Sequence, residues 1–126
     1  MATSEKTRLA TVQEHVRAEN AHDVDAIMGT FGHQSSITVN GLPFAGRDSI
    51  RTFYEDRLRT LPGFGFAVQQ QHLSADSVIA EHTLSFLDNS GQRVEVPVCI
   101  VYCFDESGKL AGERIYFNDA LLPAMS

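Results

Sequence analysis

Gln92-Arg93-Val94-Glu95-Val96-Pro97-Val98-Cys99-Ile100-Val101-Tyr102-Cys103-Phe104, then Asp105-Glu106-Ser107-Gly108, then Lys109-Leu110-Ala111-Gly112-Glu113-Arg114-Ile115-Tyr116-Phe117-Asn118, is the stretch whose reading decides the fold. Two long runs rich in β-branched and aromatic residues, joined by a short polar turn ending in Gly, predict an antiparallel hairpin. The second run carries a carboxylate, Glu113, inside an otherwise apolar sequence.

Upstream the same period of two continues. Phe64, Phe66 and Val68 alternate with Gly65, Ala67 and Gln69, and Val78, Ala80, His82, Leu84 and Phe86 alternate with Ile79, Glu81, Thr83 and Ser85. Short polar links at 74–77 and 88–91 fit hairpins, so four long strands fill the C-terminal half. The N-terminal half changes period. Leu9, Val12 and Val16 predict a helix over Ser4 to Ala21, and Asp23 is a good N-cap for a second helix with Val24, Ile27, Met28 and Phe31 on one face. Ser36 to Asn40 reads as a short strand closed by Gly41-Leu42-Pro43. A third helix from Arg47 to about Leu61 carries Ile50, Phe53, Tyr54, Leu58 and Leu61, and Pro62-Gly63 ends it. Helices that precede a curled antiparallel sheet make an α+β domain, with the helices covering the inner face and one mouth left open.

The totals exclude several classes. At 126 residues the chain fits a single domain, 1–126, and 43% hydrophobic with 21% charged residues is ordinary for a globular protein. A net charge of −6 opposes binding to phosphate backbones or anionic lipid, so no nucleic acid or membrane partner is expected. The N-terminal residues mix charges without an apolar core, which makes a cytoplasmic location the expectation. Cys99 and Cys103 sit roughly 13 Å apart on one strand, too far for a disulfide, and no zinc, phosphate or nicotinamide motif is present; the expected cofactor is none.

The element order, together with His22-Asp23-Val24-Asp25-Ala26, Gly46-Arg47-Asp48-Ser49-Ile50 and Gly112-Glu113-Arg114-Ile115-Tyr116-Phe117-Asn118, resembles the SnoaL-like polyketide cyclase family of the ketosteroid isomerase and nuclear transport factor 2-like superfamily. The resemblance covers about Leu9 to Leu122. It implies a cone-shaped α+β barrel, three helices on a mostly antiparallel sheet, holding a small apolar molecule, and a homodimer. It also implies an acid/base Asp on the last strand beside a His on the strand before. Those positions fall on Ile115 and Ile100, both apolar, so the cyclase dyad is missing from this chain. Asn40 stands about where the cyclases place a polar substrate contact.

If Ile100 and Ile115 are cross-strand neighbours, Tyr102 pairs with Glu113 and Val98 with Phe117 on the same inner face. Extending the rows reaches Val78, Ala80 and His82, then Val68, Gln70 and His72, although a one-residue slip inverts any of them. The candidate catalytic groups are therefore Glu113, Tyr102, His82 and His72. A carboxyl among apolar groups loses solvation of its charged form, which suits proton transfer at working pH; pairing of Glu113 with Arg114 or Arg47 is the structural alternative. Tyr102 is a hydrogen-bond donor in the first reading and packing in the second. Asn40, Phe53, Tyr54, Val98, Ile100, Ile115 and Phe117 are the expected ligand contacts. His15, His22 and His33 read as surface or capping residues, and Asn20 as a cap or a contact at the pocket mouth. Function then divides in two: a cofactor-free enzyme of isomerase, cyclase or water-adding type on an apolar oxygenated metabolite, or a noncatalytic binding or scaffold domain. Cys99, Val101 and Cys103 make the outer sheet face apolar enough to expect association there.

Overall fold

The computed structural model describes residues 3–122. Its elements are α1 (Glu5–Asn20), α2 (Val24–Gly29), β1 (Phe31–Val39), β2 (Leu42–Ala45), α3 (Arg47–Thr60), β3 (Gly65–Leu73), β4 (Ser77–Leu87), β5 (Arg93–Phe104) and β6 (Leu110–Phe117), with a 3-10 turn at Asp119–Leu121. Six strands form one sheet in the order β2-β1-β6-β5-β4-β3. All neighbours are antiparallel except β1 and β6, which run parallel. The edge strands β2 and β3 are not paired with each other, so the barrel is open and the three helices complete the cone.

Register shifts between Phe31 and Ser36, Val68 and Gln70, and Cys103 and Phe104 interrupt the ladders. Each such bulge bends its strand and increases the local twist, which curls the sheet around the helices. Gly112 permits the one parallel contact. It lies opposite Ser36, and a side-chain carbon there would collide with the Ser36 carbonyl. The same pairing sets Ile37 beside Glu113.

Two boundaries differ from the expectation. Phe31 opens β1 instead of closing α2, because the Thr30 carbonyl accepts from the Leu110 amide at 2.8 Å and draws the chain into the sheet. Leu42–Ala45 is a strand where closure was expected. Asn40 and Gly41 adopt φ of 49° and 85°, the left-handed pair a tight hairpin turn requires, and Val39 then faces Leu42. The expected N-cap Asp23 accepts from the Ala26 amide at 3.0 Å.

The inner rows of β4 and β5 bury Val78, Ala80, His82, Leu84 and Phe86 against Val96, Val98, Ile100 and Tyr102. Helix α3 adds Ile50, Phe53 and Tyr54. Helix α1 contributes something different. Its buried positions are Arg8, Val12, His15, Ala18 and Glu19, while Leu9 and Val16 are only half-buried. The helix therefore turns a mostly polar stripe inward.

Candidate active site

Four buried side chains from three elements converge on one point. His15 and Glu19 come from α1, Tyr54 from α3 and Glu113 from β6; none is more than 2% exposed. His15 Nε2 lies 2.6 Å from Glu113 Oε1 and 3.5 Å from Glu19 Oε2. The Tyr54 hydroxyl donates to Glu113 Oε2 at 3.0 Å and lies 3.2 Å from His15 Nε2.

Thr30 determines the state of the imidazole. Its hydroxyl donates to the Ile27 carbonyl at 2.6 Å, which leaves its oxygen to accept from His15 Nδ1 at 2.8 Å. With Nδ1 acting as a donor and Nε2 facing a carboxylate, both ring nitrogens carry hydrogen, the geometry of an imidazolium. The electrostatics agree. Burial alone pushes His15 down, but Glu19 and Glu113 outweigh it and lift its pKa to about 10. Glu19 is raised, first by its own burial and then by the Glu113 charge, against the opposing pull of His15 and Tyr54. The His15 cation, set between two buried carboxyl groups, offsets their charge, and that compensation is what makes the cluster tolerable inside a fold. Burial, followed by the Glu113 and Glu19 charges, raises Tyr54 well above its ordinary value, so it stays a phenol.

A second buried pair sits beside the first. His82 Nε2 lies 2.9 Å from the Tyr102 hydroxyl, and His82 Nδ1 is buried without a partner. Burial depresses His82 to about 4, so this imidazole is neutral. The Tyr102 ring lies edge-on to both histidines, at 6.0 Å from His15 and 6.1 Å from His82.

The inner cavity holds about 30 Å³ and is walled by Glu19, Tyr54, Phe66, Val98, Ile100 and Ile115, among others. Outside it a cleft of about 760 Å³ runs past Val39, Asn40, Phe44, Asp48 and Asp56. The two share Phe53, Arg57, Phe117 and Leu122, which form a neck. The Arg57 guanidinium lies 5.0 Å from the centre of the Phe53 ring and 5.8 Å from that of Phe117. Its burial holds its pKa below the usual value.

The structure brings most of the sequence-derived candidates to this region. Glu113 faces inward and pairs with Tyr102 across β5 and β6, with Ile100 opposite Ile115 and Val98 opposite Phe117. The Tyr102 hydroxyl, however, is turned to His82. Phe53, Tyr54, Val98, Ile100, Ile115 and Phe117 line the inner cavity, and Asn40 lies in the outer cleft, where its Oδ1 accepts from the Phe117 amide at 3.0 Å. His72 is a correction. The bulge after Val68 inverts the strand, so His72 pairs with Ile79 on the outer face and meets Glu81 at 2.6 Å in solvent. His15 is another: expected at the surface, it is fully buried. His22 holds the Phe64 carbonyl at 2.6 Å and His33 is exposed. Asn20 is a backbone clasp, bonded to both the amide and the carbonyl of Phe66. Glu19 and Arg57 were missed altogether. The spacing of Arg8, Val12, His15 and Glu19 at i, i+4, i+7 and i+11 was the available signal.

Among the described residues no group of three or more His, Cys, Asp or Glu is arranged to hold a metal ion, and no helix is long and apolar enough to cross a membrane. The fold is shared with several solved structures. The epoxide hydrolase/cyclase-like enzyme SalBIII, of pyran ring formation in polyether salinomycin, superposes with a TM-score of 0.82 at 22% identity over 93% of this chain and 95% of that one. RV0760c from Mycobacterium tuberculosis, in complex with estradiol-17beta-hemisuccinate, gives 0.79 at 17% identity over 91% and 96%. A computationally designed 17-OHP binder gives 0.76 at 16% over 87% and 90%. Residues 12–113 match the SnoaL-like domain, and the chain belongs to that family.

Proposed function

We propose that the protein is a cofactor-free enzyme that acts on an apolar, oxygenated small molecule by proton transfer or water addition, an isomerase or cyclase type of chemistry. The observation that carries this reading is the contact of 2.6 Å between His15 Nε2 and Glu113 Oε1, both fully buried at the inner end of an apolar cone. A structural domain gains nothing from such a pair, since apolar residues of the same volume stabilise a core at least as well. Glu113 is the acid/base residue of this reading. Tyr54, hydrogen-bonded to Glu113 and part of the cavity wall, connects it to a bound ligand. Tyr102 acts one step back by holding His82.

The test is Glu113→Gln, which keeps shape and removes the proton site. Apolar ketones and epoxides are incubated with the protein in deuterated, ¹⁸O-labelled water, and label uptake is followed by mass spectrometry. The wild type is expected to exchange carbon-bound hydrogen or add labelled oxygen, and the variant to lose about 10²-fold or more. Turnover that survives within a few-fold sinks the reading.

The second reading is a noncatalytic binder, favoured by the apolar wall of the inner cavity and by the absence of the cyclase pair at Ile100 and Ile115. The same fold serves the designed 17-OHP binder. Ligand-induced thermal stabilisation, equal in wild type and Glu113→Gln and without label uptake in either, would establish it. In both readings the protein is a homodimer through the outer face of β4 to β6, where Ile79, Cys99, Val101 and Cys103 are half-buried and Tyr116 is exposed. Size exclusion is expected to give twice the chain mass, and a monomer at micromolar concentration contradicts it.

A further inference from the structure

Glu113 has no oxygen to spare. Oε2 takes the Tyr54 hydroxyl and Oε1 faces His15 at 2.6 Å, and Glu113 is not part of the cavity wall. Glu19 is placed differently. Its Oε2 lies 3.5 Å from His15, its Oε1 is buried without a hydrogen-bond partner, and it lines the inner cavity. Among the described residues it is the one buried carboxyl oxygen left with neither a hydrogen bond nor an ion pair. An unmatched polar atom of this kind costs stability, and a ligand that supplies its partner recovers that cost.

We propose that Glu19 is the group that meets the ligand, donating a hydrogen bond from its carboxyl to the carbonyl, epoxide or ether oxygen of an uncharged apolar compound. The inference rests on the acid/base reading of the cluster and adds the contacting residue and the ligand class. The dimensions fix the ligand's shape. A cavity of about 30 Å³ admits a group the size of one water molecule, so it takes the oxygen-bearing head. The body lies beyond the neck of Phe53, Arg57, Phe117 and Leu122, in the cleft of about 760 Å³. An uncharged head follows from the surroundings: Glu19 already faces the charges of His15 and Glu113, with Tyr54 beside them, and a carboxylate head would add a second anion to a desolvated site. Burial raises the Glu19 pKa, which favours the protonated, donating form of its carboxyl.

Two probes of matched shape test this: 2-acetylnaphthalene, a ketone, and 2-ethylnaphthalene, which lacks the oxygen. The wild type is expected to bind the ketone about tenfold more tightly than the hydrocarbon. Glu19→Met should reduce that ratio to about twofold or less. It should fold, because the remaining His15–Glu113 pair is charge-balanced. A second measurement covers failure of the Met variant to fold: the carbonyl stretch of bound 2-acetylnaphthalene should lie lower in the wild type than in Glu19→Gln, an amide being the weaker donor. A preference that survives Glu19→Met, or an unshifted stretch in Glu19→Gln, overturns the assignment to Glu19 and leaves the acid/base reading standing. No binding, or equal binding of both probes to the wild type, sinks both.

Discussion

His15 and His82 are both buried, both lie edge-on to the ring of Tyr102, and differ in charge state. His15 is 0% and His82 2% exposed. Burial lowers both, yet His15 reaches about 10 and His82 falls to about 4. The difference is the company each keeps. Two carboxyl groups, Glu19 and Glu113, face His15, whereas His82 meets a phenol and the face of Phe66 at 5.0 Å. An imidazole in a core is therefore charged by its counter-ion and not by its depth, and the two histidines divide the inner face into an ionic half and a neutral half.

The largest expected effect breaks the ionic half. His15→Leu leaves Glu113 and Glu19 facing each other in a buried site with no cation, which should cost about 3–5 kcal/mol in urea unfolding. His82→Leu strands only the Tyr102 hydroxyl, and should cost about 1–3 kcal/mol. Equal costs would mean that the His15 cluster is not ionised.

The pH profile separates the halves by sign. His15 has a folded pKa near 10, above its ordinary 6.5, so the stability it contributes is whole below pH 6.5 and is lost as pH rises toward 10. His82, near 4 against the same 6.5, contributes stability that is whole above pH 6.5 and is lost as pH falls through 4. The groups around His15 are Glu19, Glu113, Tyr54 and Thr30; those around His82 are Tyr102 and Phe66, with Glu113 and His15 acting from farther off. His15→Leu should flatten the alkaline limb of a plot of urea midpoint against pH, and His82→Leu the acid limb. Glu19 lowers stability as pH rises above its ordinary 4.5, because its raised pKa makes the fold hold a proton the unfolded chain has released. A profile whose alkaline limb is unchanged in His15→Leu contradicts the imidazolium.

The neutral half was the legible one. Strand alternation has a period of two, so a single correct neighbour, Ile100 opposite Ile115, propagates along β4, β5 and β6 and places Tyr102, Glu113 and His82 on the inner face. The same propagation fails at the bulge in β3, where one extra residue sends His72 outward, and nothing in Val68-Gln69-Gln70 announces it. The ionic half was hidden for a different reason. On α1 the apolar residues Leu9, Val12 and Val16 point to one face, but the fold buries the face of Val12, His15 and Glu19 and leaves Leu9 and Val16 half-buried, because His15 and Glu19 have partners on α3 and β6 that the local sequence does not contain. A polar stripe reads as solvated until its counter-charges are known. Glu113 was visible as an anomaly within an apolar strand; its partner was not.

The smallest effect tests whether the neutral half is as expendable as the comparison implies. Tyr102→Phe alone leaves His82 Nε2 without the hydroxyl at 2.9 Å, and with Nδ1 already unpartnered the ring then has no hydrogen bond at all. The expected cost is about 1 kcal/mol. Removing both partners is a different matter. In the double variant His82→Leu with Tyr102→Phe no polar atom is stranded, and apolar side chains fill the same volume between Phe66 and the inner face of β5. The double variant should recover most of the stability lost in His82→Leu, a coupling of about 1 kcal/mol or more in a double-mutant cycle. Additive costs would show that the His82 and Tyr102 hydrogen bond does not couple the two residues, and that Tyr102 is held by its packing against His15.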